Sequence, residues 1–302
     1  MNFNNVNFNN VDFNIHKIFN FVRSNKYILL IIFFIIYFIY SIYMKPKALK
    51  VVVFDLDETL GHFSELGAFC ETLEKYNNKK LTRREFDEIL DLFPEFFRPN
   101  IIKILLFLKT MKERNILKKV FIYTNNNGPK EWSEKIKRHL ENKINYKLFD
   151  KIIGAYKING EHVELGRTTY NKTVTDFLSI TKLPNTTEIC FLDDVYHKEM
   201  NKDNVYYLKI KPYVRLIPFY NMAERYYNKN IIKSNKKHFI NFVVSNMNKY
   251  NKNVNCKTND DIEDEINISR EILNYLKDFL DIKIKKNKTL RQKTSKRKTN
   301  KI

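Results

Sequence analysis

A short apolar run that ends in acidic residues is the feature that most constrains the fold of this chain. The sequence VVVF at 51–54 continues as DLDET at 55–59. An apolar run this short, stopped by polar residues, predicts a fully buried strand of a parallel sheet rather than a helix. In an open α/β sheet, ligands bind outside the carboxyl ends of the strands, so Asp55 and Asp57 are predicted to lie at a binding site.

Two carboxylates at such a position suggest a magnesium site combined with a nucleophile. A buried carboxylate is costly unless it is paired or binds a metal, and Mg²⁺ prefers oxygen ligands. A carboxylate can also attack phosphorus without first losing a proton. A strand that simply ends in a solvated acidic turn explains Asp-x-Asp equally well. The residues further along the chain therefore have to decide between the two interpretations.

Three further polar clusters follow, each behind another apolar run or at a predicted helix start. They are Thr124 with Asn125, Lys172, and Asp193 with Asp194. Each cluster alone has an ordinary explanation, because it could end a strand, cap a turn or belong to the surface. Together they supply what phosphoryl transfer requires, namely a nucleophile, a general acid, donors for the phosphoryl oxygens and a hard-cation site. Their joint occurrence in this order favours a catalytic site.

Strand-like runs alternate with helical patterns along the chain, which predicts a parallel sheet with helices on both faces. The predicted strands cover 51–54, 120–124, 152–155, 188–192 and 205–210. The predicted helices cover 82–93, 101–114, 129–142, 172–180, 219–227 and 262–280. Thr82, with Glu85 three residues later, forms a predicted capping box. The last helix is amphipathic, and we expect it to pack back on the domain.

The order DLDET, T, K, DD resembles the haloacid dehalogenase (HAD) superfamily. Its details resemble the branch of RNA-polymerase C-terminal-domain phosphatases and NLI-interacting-factor-like proteins, including similar sequences encoded by large DNA viruses. The sequence FRP at 97–99 resembles the Arg-Pro-Gly of that branch, with Asn100 replacing glycine, and KIKPY at 209–213 resembles a segment after its last motif. The resemblance covers about 47–217. It implies an α/β fold, a HAD-type Rossmann-like sheet with small insertions, such as 63–97, instead of a large cap.

The resemblance also implies roles for the acidic residues. Asp55 is expected to be the nucleophile that becomes an aspartyl-phosphate. Asp57 is expected to be the general acid and base, and its backbone carbonyl is expected to bind Mg²⁺ as well. Asp193 and Asp194 are expected to complete the metal shell, directly or through water.

The phosphoryl oxygens are expected to be held by Thr124, Asn125 and Lys172. Lys182 competes with Lys172 for this role, because Lys172 lies rather far from the acidic pair. We favour Lys172 since it opens a helix after a polar turn, whereas Lys182 lies past the end of that helix. Arg167 is a speculative second phosphate contact.

The resemblance does not explain the two ends of the chain. We predict a disordered arm at 1–26, a transmembrane anchor at 27–43, where 17 residues carry no charge, and a phosphatase domain at 47–217. A helical, Asn/Lys-rich extension at 218–281 and a polybasic disordered tail at 282–302 follow. The anchor predicts a single-pass membrane protein whose domain faces the cytosol.

Composition constrains the function only weakly. The formal net charge is +20, but the richness in Asn, Lys and Ile runs through the whole chain and fits an A/T-rich gene as well as a nucleic-acid function. The basic tail predicts at most non-specific contacts with anionic lipid or nucleic acid. Three widely spaced cysteines indicate neither a disulfide framework nor a zinc site.

The predicted function is a membrane-anchored, Mg²⁺-dependent phosphatase that acts on phosphoserine or phosphothreonine of a phosphoprotein. Two alternatives stay open at this point. One is a phosphatase for a small metabolite or lipid phosphate, and the other is a non-catalytic membrane-tethered scaffold. No catalytic aspartate is lost from the motifs, which speaks against the scaffold.

Overall fold

The computed structural model describes residues 24–43, 48–229, 232, 234–250, 259–282 and 300–301. The chain divides into two compact units, Met1–Ala48 and Leu49–Ile302. Most of the predicted arm at 1–26 and of the predicted basic tail at 282–302 therefore lies outside the described residues. The first unit contributes helix α1 (Lys26–Tyr43).

Helix α1 covers the segment predicted to anchor the chain in a membrane. Among the described residues, no helix is both long enough and apolar enough to cross a bilayer. The 18 residues of α1 begin with the charged Lys26. At about 1.5 Å per residue they reach roughly 27 Å, short of a hydrocarbon core of about 30 Å. The predicted transmembrane helix at 27–43, and with it the single-pass, cytosol-facing membrane localisation, is wrong.

Five parallel strands form the central sheet of the second unit. They are β1 (Lys50–Phe54), β2 (Lys119–Tyr123), β3 (Lys151–Ile153), β6 (Glu188–Asp193) and β7 (Val205–Lys209). Their order is β3-β2-β1-β6-β7, and the short β8 (Asn300–Lys301) pairs in parallel with β7. A separate antiparallel hairpin joins β4 (Lys157–Ile158) to β5 (Glu161–His162). The predicted α/β class with a Rossmann-like parallel sheet is confirmed.

Helices connect these strands and continue after the last of them. They are α2 (Ser64–Asn77), α3 (Arg83–Leu92), α4 (Ile101–Glu113), α5 (Lys130–Ile144), α6 (Val174–Thr181), α7 (Phe219–Tyr227), α8 (Lys236–Met247) and α9 (Asn259–Phe279). Short 3-10 turns cover Pro94–Phe96 and Lys198–Met200. Helix α3 starts at the predicted capping box, where the Glu85 N–H donates to the Thr82 hydroxyl at 3.2 Å and the Thr82 N–H donates to the Glu85 carboxylate at 2.7 Å.

The helices cover the two faces of the sheet unequally. Alternation along β1 directs Val52 into a core shared with α2–α5 and α7–α9, and Val53 into a smaller core shared with α6. In the smaller core the ring of Phe177 packs edge-on against Phe121, with centroids 5.2 Å apart. Because both faces are buried, the strands are almost continuously apolar, as is typical of parallel sheets.

The chain after the predicted phosphatase domain belongs to the same compact unit as that domain. Helix α9 buries one apolar side, which includes Ile272 and Leu276. The Lys50 ammonium, at the start of β1, donates to the Asp281 carboxylate at 2.8 Å. The start of the first strand is therefore bonded to a residue that lies just past the end of α9, although the two are far apart in the sequence.

Candidate active site

Three neighbouring strands bring polar side chains to one edge of the sheet. Asp55 follows β1, Thr124 follows β2, and Asp193 is the last residue of β6. Backbone hydrogen bonds extend the ladder to this edge: the Asp55 N–H donates to the Leu192 carbonyl and the Thr124 N–H to the Ile153 carbonyl, both at 2.9 Å. The three side chains are buried and start from backbone that the sheet holds in place.

Lys172 joins two of these strand ends. Its ammonium donates to Oδ1 of Asp55 and, at 2.7 Å, to Oδ2 of Asp193. Lys172 precedes Thr173, which caps α6, so it lies just before the helix rather than in it. Lys182, the competing lysine, ends α6 in a left-handed conformation with φ 54°. The structure thus brings Lys172, and not Lys182, to the aspartates.

A group of three carboxylates at this edge has the spacing of a metal site. Oxygen atoms of Asp55, Asp193 and Asp194 all lie within 4.8 Å of one another. The Thr59 hydroxyl donates to Asp194 Oδ1 at 3.3 Å. Hard carboxylate oxygens are the donors that Mg²⁺ prefers, so the residues fit this ion. The carboxylate of Asp57, also predicted as a metal residue, does not belong to the group.

Asp57 is held from the other side by Asn126, a residue that the sequence did not single out. Asn126 Nδ2 donates to Asp57 Oδ2 at 2.7 Å, and the Asn126 N–H donates to the Thr124 hydroxyl at 3.0 Å. The Gly128 N–H donates in turn to Asn126 Oδ1 at 2.8 Å. Asn126 therefore connects the predicted general acid with the predicted phosphate ligand. Its position inside the run Asn-Asn-Asn after Thr124 was the available signal, but the pattern does not rank three identical residues.

Asn125 and Arg167 contact each other. Arg167 Nη1 donates to Asn125 Oδ1 at 2.7 Å and to the Gly154 carbonyl at 3.0 Å, and Nη2 donates to the Tyr170 carbonyl at 2.8 Å. The guanidinium is buried and lies 5.0 Å from the centre of the Tyr123 ring. These contacts hold the loop that follows β2 in place. The side-chain oxygen of Asn125, Oδ1, is already used as an acceptor by Arg167.

His197 is a second site residue that the sequence did not single out. Its Nε2 lies 3.5 Å from Asp193 Oδ2, and its Nδ1 accepts from the Lys172 N–H at 3.4 Å. The His197 N–H donates to the Tyr207 hydroxyl at 2.8 Å. His197 thus helps to hold the Asp193 side chain and the Lys172 backbone in position. Nothing in the surrounding sequence VYHKEM points to this role.

Burial and neighbouring charges perturb the acidity of the site. Burial raises the pKa of Asp55 well above its ordinary value although Lys172 opposes the shift. Burial also raises the pKa of Asp57, and it raises that of Asp194 to about 6 with help from the charge of Asp193. For Asp193, burial acts upward, but Lys172 and His197 bring the pKa below its ordinary value. Several perturbed carboxyl groups at one edge are typical of a functional site.

A cleft of about 820 Å³ opens at Asp57 and Asn126. It is lined by residues of α2 and of the start of α5, and its apolar wall contains Phe86 and Trp132. The rings of these two residues pack edge to face with centroids 5.4 Å apart. The predicted small insertion at 63–97 is formed by α2, α3 and a 3-10 turn.

Comparisons with known proteins add little to this geometry. No family model matches the chain, and no curated protein matches it. Among solved structures, the chain is similar to a mutant of CbbY from Rhodobacter sphaeroides in complex with xylulose-(1,5)-bisphosphate, with 14% identity over 48% of this chain and 77% of that chain. The TM-score is 0.26, so the similarity carries no argument about function.

Proposed function

We propose that this protein is a Mg²⁺-dependent phosphatase that forms an aspartyl-phosphate on Asp55. The observation that carries the proposal is the Lys172 ammonium between Asp55 and Asp193, with Asp194 beside them. A nucleophilic carboxylate needs a cation close by when it receives a dianionic phosphoryl group, because negative charge develops on the equatorial oxygens. Lys172 supplies such a cation at the nucleophile.

The proposed reaction has two steps. First, an Asp55 oxygen attacks phosphorus, the bond from phosphorus to the leaving oxygen breaks, and protonated Asp57 gives its proton to that oxygen. Second, water attacks the phosphorus of the aspartyl-phosphate, its proton passes to Asp57, and phosphate leaves with Asp55 restored. The burial that raises the pKa of Asp57 favours the protonated form that the first step needs.

The remaining residues hold the phosphoryl group. The Thr124 hydroxyl accepts from the Asn126 N–H, so its own proton is available to a phosphoryl oxygen. Lys172 is placed to exchange a carboxylate for a phosphoryl oxygen. Mg²⁺ held by Asp55, Asp193 and Asp194 would neutralise further negative charge there, and the backbone carbonyl of Asp57 is the additional ligand that we propose.

We further propose that the substrate is phosphoserine or phosphothreonine on a protein. The cleft begins at the proposed general acid and extends along α2, so a polypeptide has room on the side of the leaving group. Among the described residues, 63–97 form two helices and a 3-10 turn beside this cleft, which is a small cover rather than a domain.

Hydrolysis of an aryl phosphate by the full chain tests the reaction. We expect turnover with Mg²⁺, loss of turnover with EDTA, and a loss of about 10³-fold or more in Asp55→Asn, because the nucleophile is removed. Asp203→Asn, at an exposed aspartate, is the matched control and should keep wild-type activity. Equal turnover of Asp55→Asn and wild type would refute the mechanism. If small phosphate esters are hydrolysed better than phosphopeptides, the protein substrate is wrong.

A further inference from the structure

The cleft beside Asp57 combines the position of a substrate site with an unusual charge. We propose that it selects phosphorylated segments whose neighbouring residues are basic. This inference rests on the proposed phosphatase function and adds the chemical class of its substrate.

The charged residues of the cleft wall are mostly acidic. The carboxylates are those of Asp57, Glu58, Glu65, Glu71, Glu74 and Glu131. The basic residues are His62, Lys80 and Lys135. The chain as a whole has a formal net charge of +20, so the cleft and the rest of the protein differ in sign. Such a local reversal focuses the field on a ligand of opposite charge.

Part of the negative charge is compensated within the wall. The Lys80 ammonium lies 2.6 Å from the Glu74 carboxylate. His62 lies between two carboxylates, 3.0 Å from Glu58 and in contact with Glu65. These groups form a fixed part of the wall. Around His62, one imidazole faces the two carboxylates of Glu58 and Glu65, so a net negative charge remains there.

Glu71 and Glu131 are carboxylates of the wall that have no direct ion pair. Both are exposed, and neither forms an ion pair with any other described residue. Glu71 accepts a hydrogen bond from the Tyr250 hydroxyl at 3.0 Å, and the same hydroxyl accepts from the Lys75 ammonium at 3.1 Å, so Lys75 offsets part of the Glu71 charge through this bridge. The charge of Glu131 and the remaining part of that of Glu71 are available to a basic ligand.

The direction of the proposed reaction places a substrate's neighbouring residues against this wall. Asp57 must face the leaving oxygen, so the residue that carries this oxygen extends from Asp57 into the cleft. Trp132, which is partly exposed, then offers an apolar surface on which the stem of a lysine or the plane of an arginine can lie. Phe86 packs against Trp132 but is itself buried, and the centre of its ring lies 5.3 Å from the Lys135 ammonium. The same carboxylates repel a ligand that carries a second phosphate group. The cleft therefore fits a basic phosphopeptide better than a bisphosphorylated metabolite.

Three phosphoserine peptides that differ only in the flanking residues test the inference. The flanks are arginine, alanine or glutamate, and each peptide is also made with a non-hydrolysable phosphonate so that binding is measured without turnover. At physiological salt, where screening acts beyond about 8 Å, we expect the arginine peptide to bind about tenfold more tightly than the glutamate peptide. The net charge of the chain predicts the reverse order. Equal binding, or preference for the glutamate peptide, would overturn the inference.

Substitutions in the cleft locate the preference. In the double variant Glu71→Gln/Glu131→Gln we expect the preference for arginine flanks to fall about fivefold. Aryl phosphate hydrolysis should stay at the wild-type level, because neither residue forms a hydrogen bond or ion pair with a described residue of the proposed catalytic group. Glu113→Gln/Glu161→Gln removes two exposed carboxylates outside the cleft and should keep the preference. An unchanged preference in the cleft variant would refute the assignment to this wall. If the wild type does not hydrolyse aryl phosphate at all, the proposed phosphatase function is wrong. That result can be told apart from failure of the proposed preference for basic peptides.

Discussion

Two fully buried cations, Lys172 and Arg98, meet carboxylates in different ways. Lys172 donates to two carboxylates, Asp55 and Asp193, at the open edge of the sheet. Arg98 contacts one carboxylate, Glu265 of α9, at 3.0 Å, and both of these side chains are at most 1% exposed. The first cluster has an excess of negative charge, whereas the second is balanced.

The remaining donors of Arg98 are used on the backbone. Nε donates to the Thr59 carbonyl at 2.8 Å, and Nη2 donates to the carbonyls of Glu58 and Lys211 at 2.6 and 2.8 Å. Arg98 therefore holds the backbone of the turn that follows the proposed nucleophile in place. A cation with two carboxylates can exchange one of them for a ligand, whereas Arg98, with four hydrogen bonds to protein oxygens, is fixed in place and serves to position the chain. In the proposed mechanism, the Lys172 cluster takes part in the reaction and the Arg98 cluster positions the turn.

Replacement of Lys172 should lower activity as strongly as replacement of Asp55. In Lys172→Met we expect kcat/KM for an aryl phosphate to fall about 10³-fold or more, because the cation that stabilises the transferring group is lost. Lys182→Met is the matched control, since Lys182 is exposed and ends α6 away from the aspartates. Initial rates under saturating Mg²⁺ measure the effect. Near wild-type rates in Lys172→Met would show that this cluster is structural, like that of Arg98.

Replacement of Glu265 should produce the largest effect on stability. Glu265→Gln leaves the Arg98 guanidinium buried without its counter-charge, and we expect the free energy of unfolding to fall by about 3 kcal/mol or more. Glu263→Gln, on the exposed side of the same helix, should change it by less than about 0.5 kcal/mol. Urea unfolding followed by circular dichroism measures both. If the two variants are equally stable, Arg98 does not depend on α9.

The same contrast explains how much the sequence could predict. Asp55, Thr124 and Asp193 were predictable because each stands at the end of a short apolar run that predicts a buried strand, and parallel strands end at one edge. The Arg98–Glu265 pair was not predictable, because 167 residues separate its members and no local pattern records the contact. Asn126 and His197 were not predicted for a related reason. Their contacts with Asp57 and Asp193 depend on which residues of neighbouring strands lie next to them in the folded protein, and the local sequence does not show this.

Helix α8 was missed because the sequence around it is rich in Asn and Lys and its interior holds the β-branched Val243 and Val244. Such residues lower helix propensity. The helix is specified instead by packing: Phe239, Ile240, Val243 and Met247 enter the main core. Tertiary contacts that the sequence does not show overrode the local preference.

A third cluster sharpens the comparison because its cation can be neutralised without a mutation. Burial disfavours the charged form of His62, but hydrogen bonds to Glu58 and Glu65 raise its pKa from the ordinary 6.5 to about 9. Protonated His62 therefore stabilises the folded state fully below pH 6.5, and this stabilisation is lost as the pH rises through about 9. We expect the loss to be about 3 kcal/mol.

The comparison of wild type with His62→Gln isolates this contribution. Glutamine carries no titrating group, so we expect the difference in free energy of unfolding between the two proteins to shrink as the pH rises from about 6 to about 10. Urea unfolding at each pH gives that difference. A difference that stays constant would mean that the imidazole acts by shape and hydrogen bonding alone. It would also mean that a cation between two carboxylates can lose its charge without a loss of stability. The same arrangement at Lys172 would then not show that its charge is needed for folding.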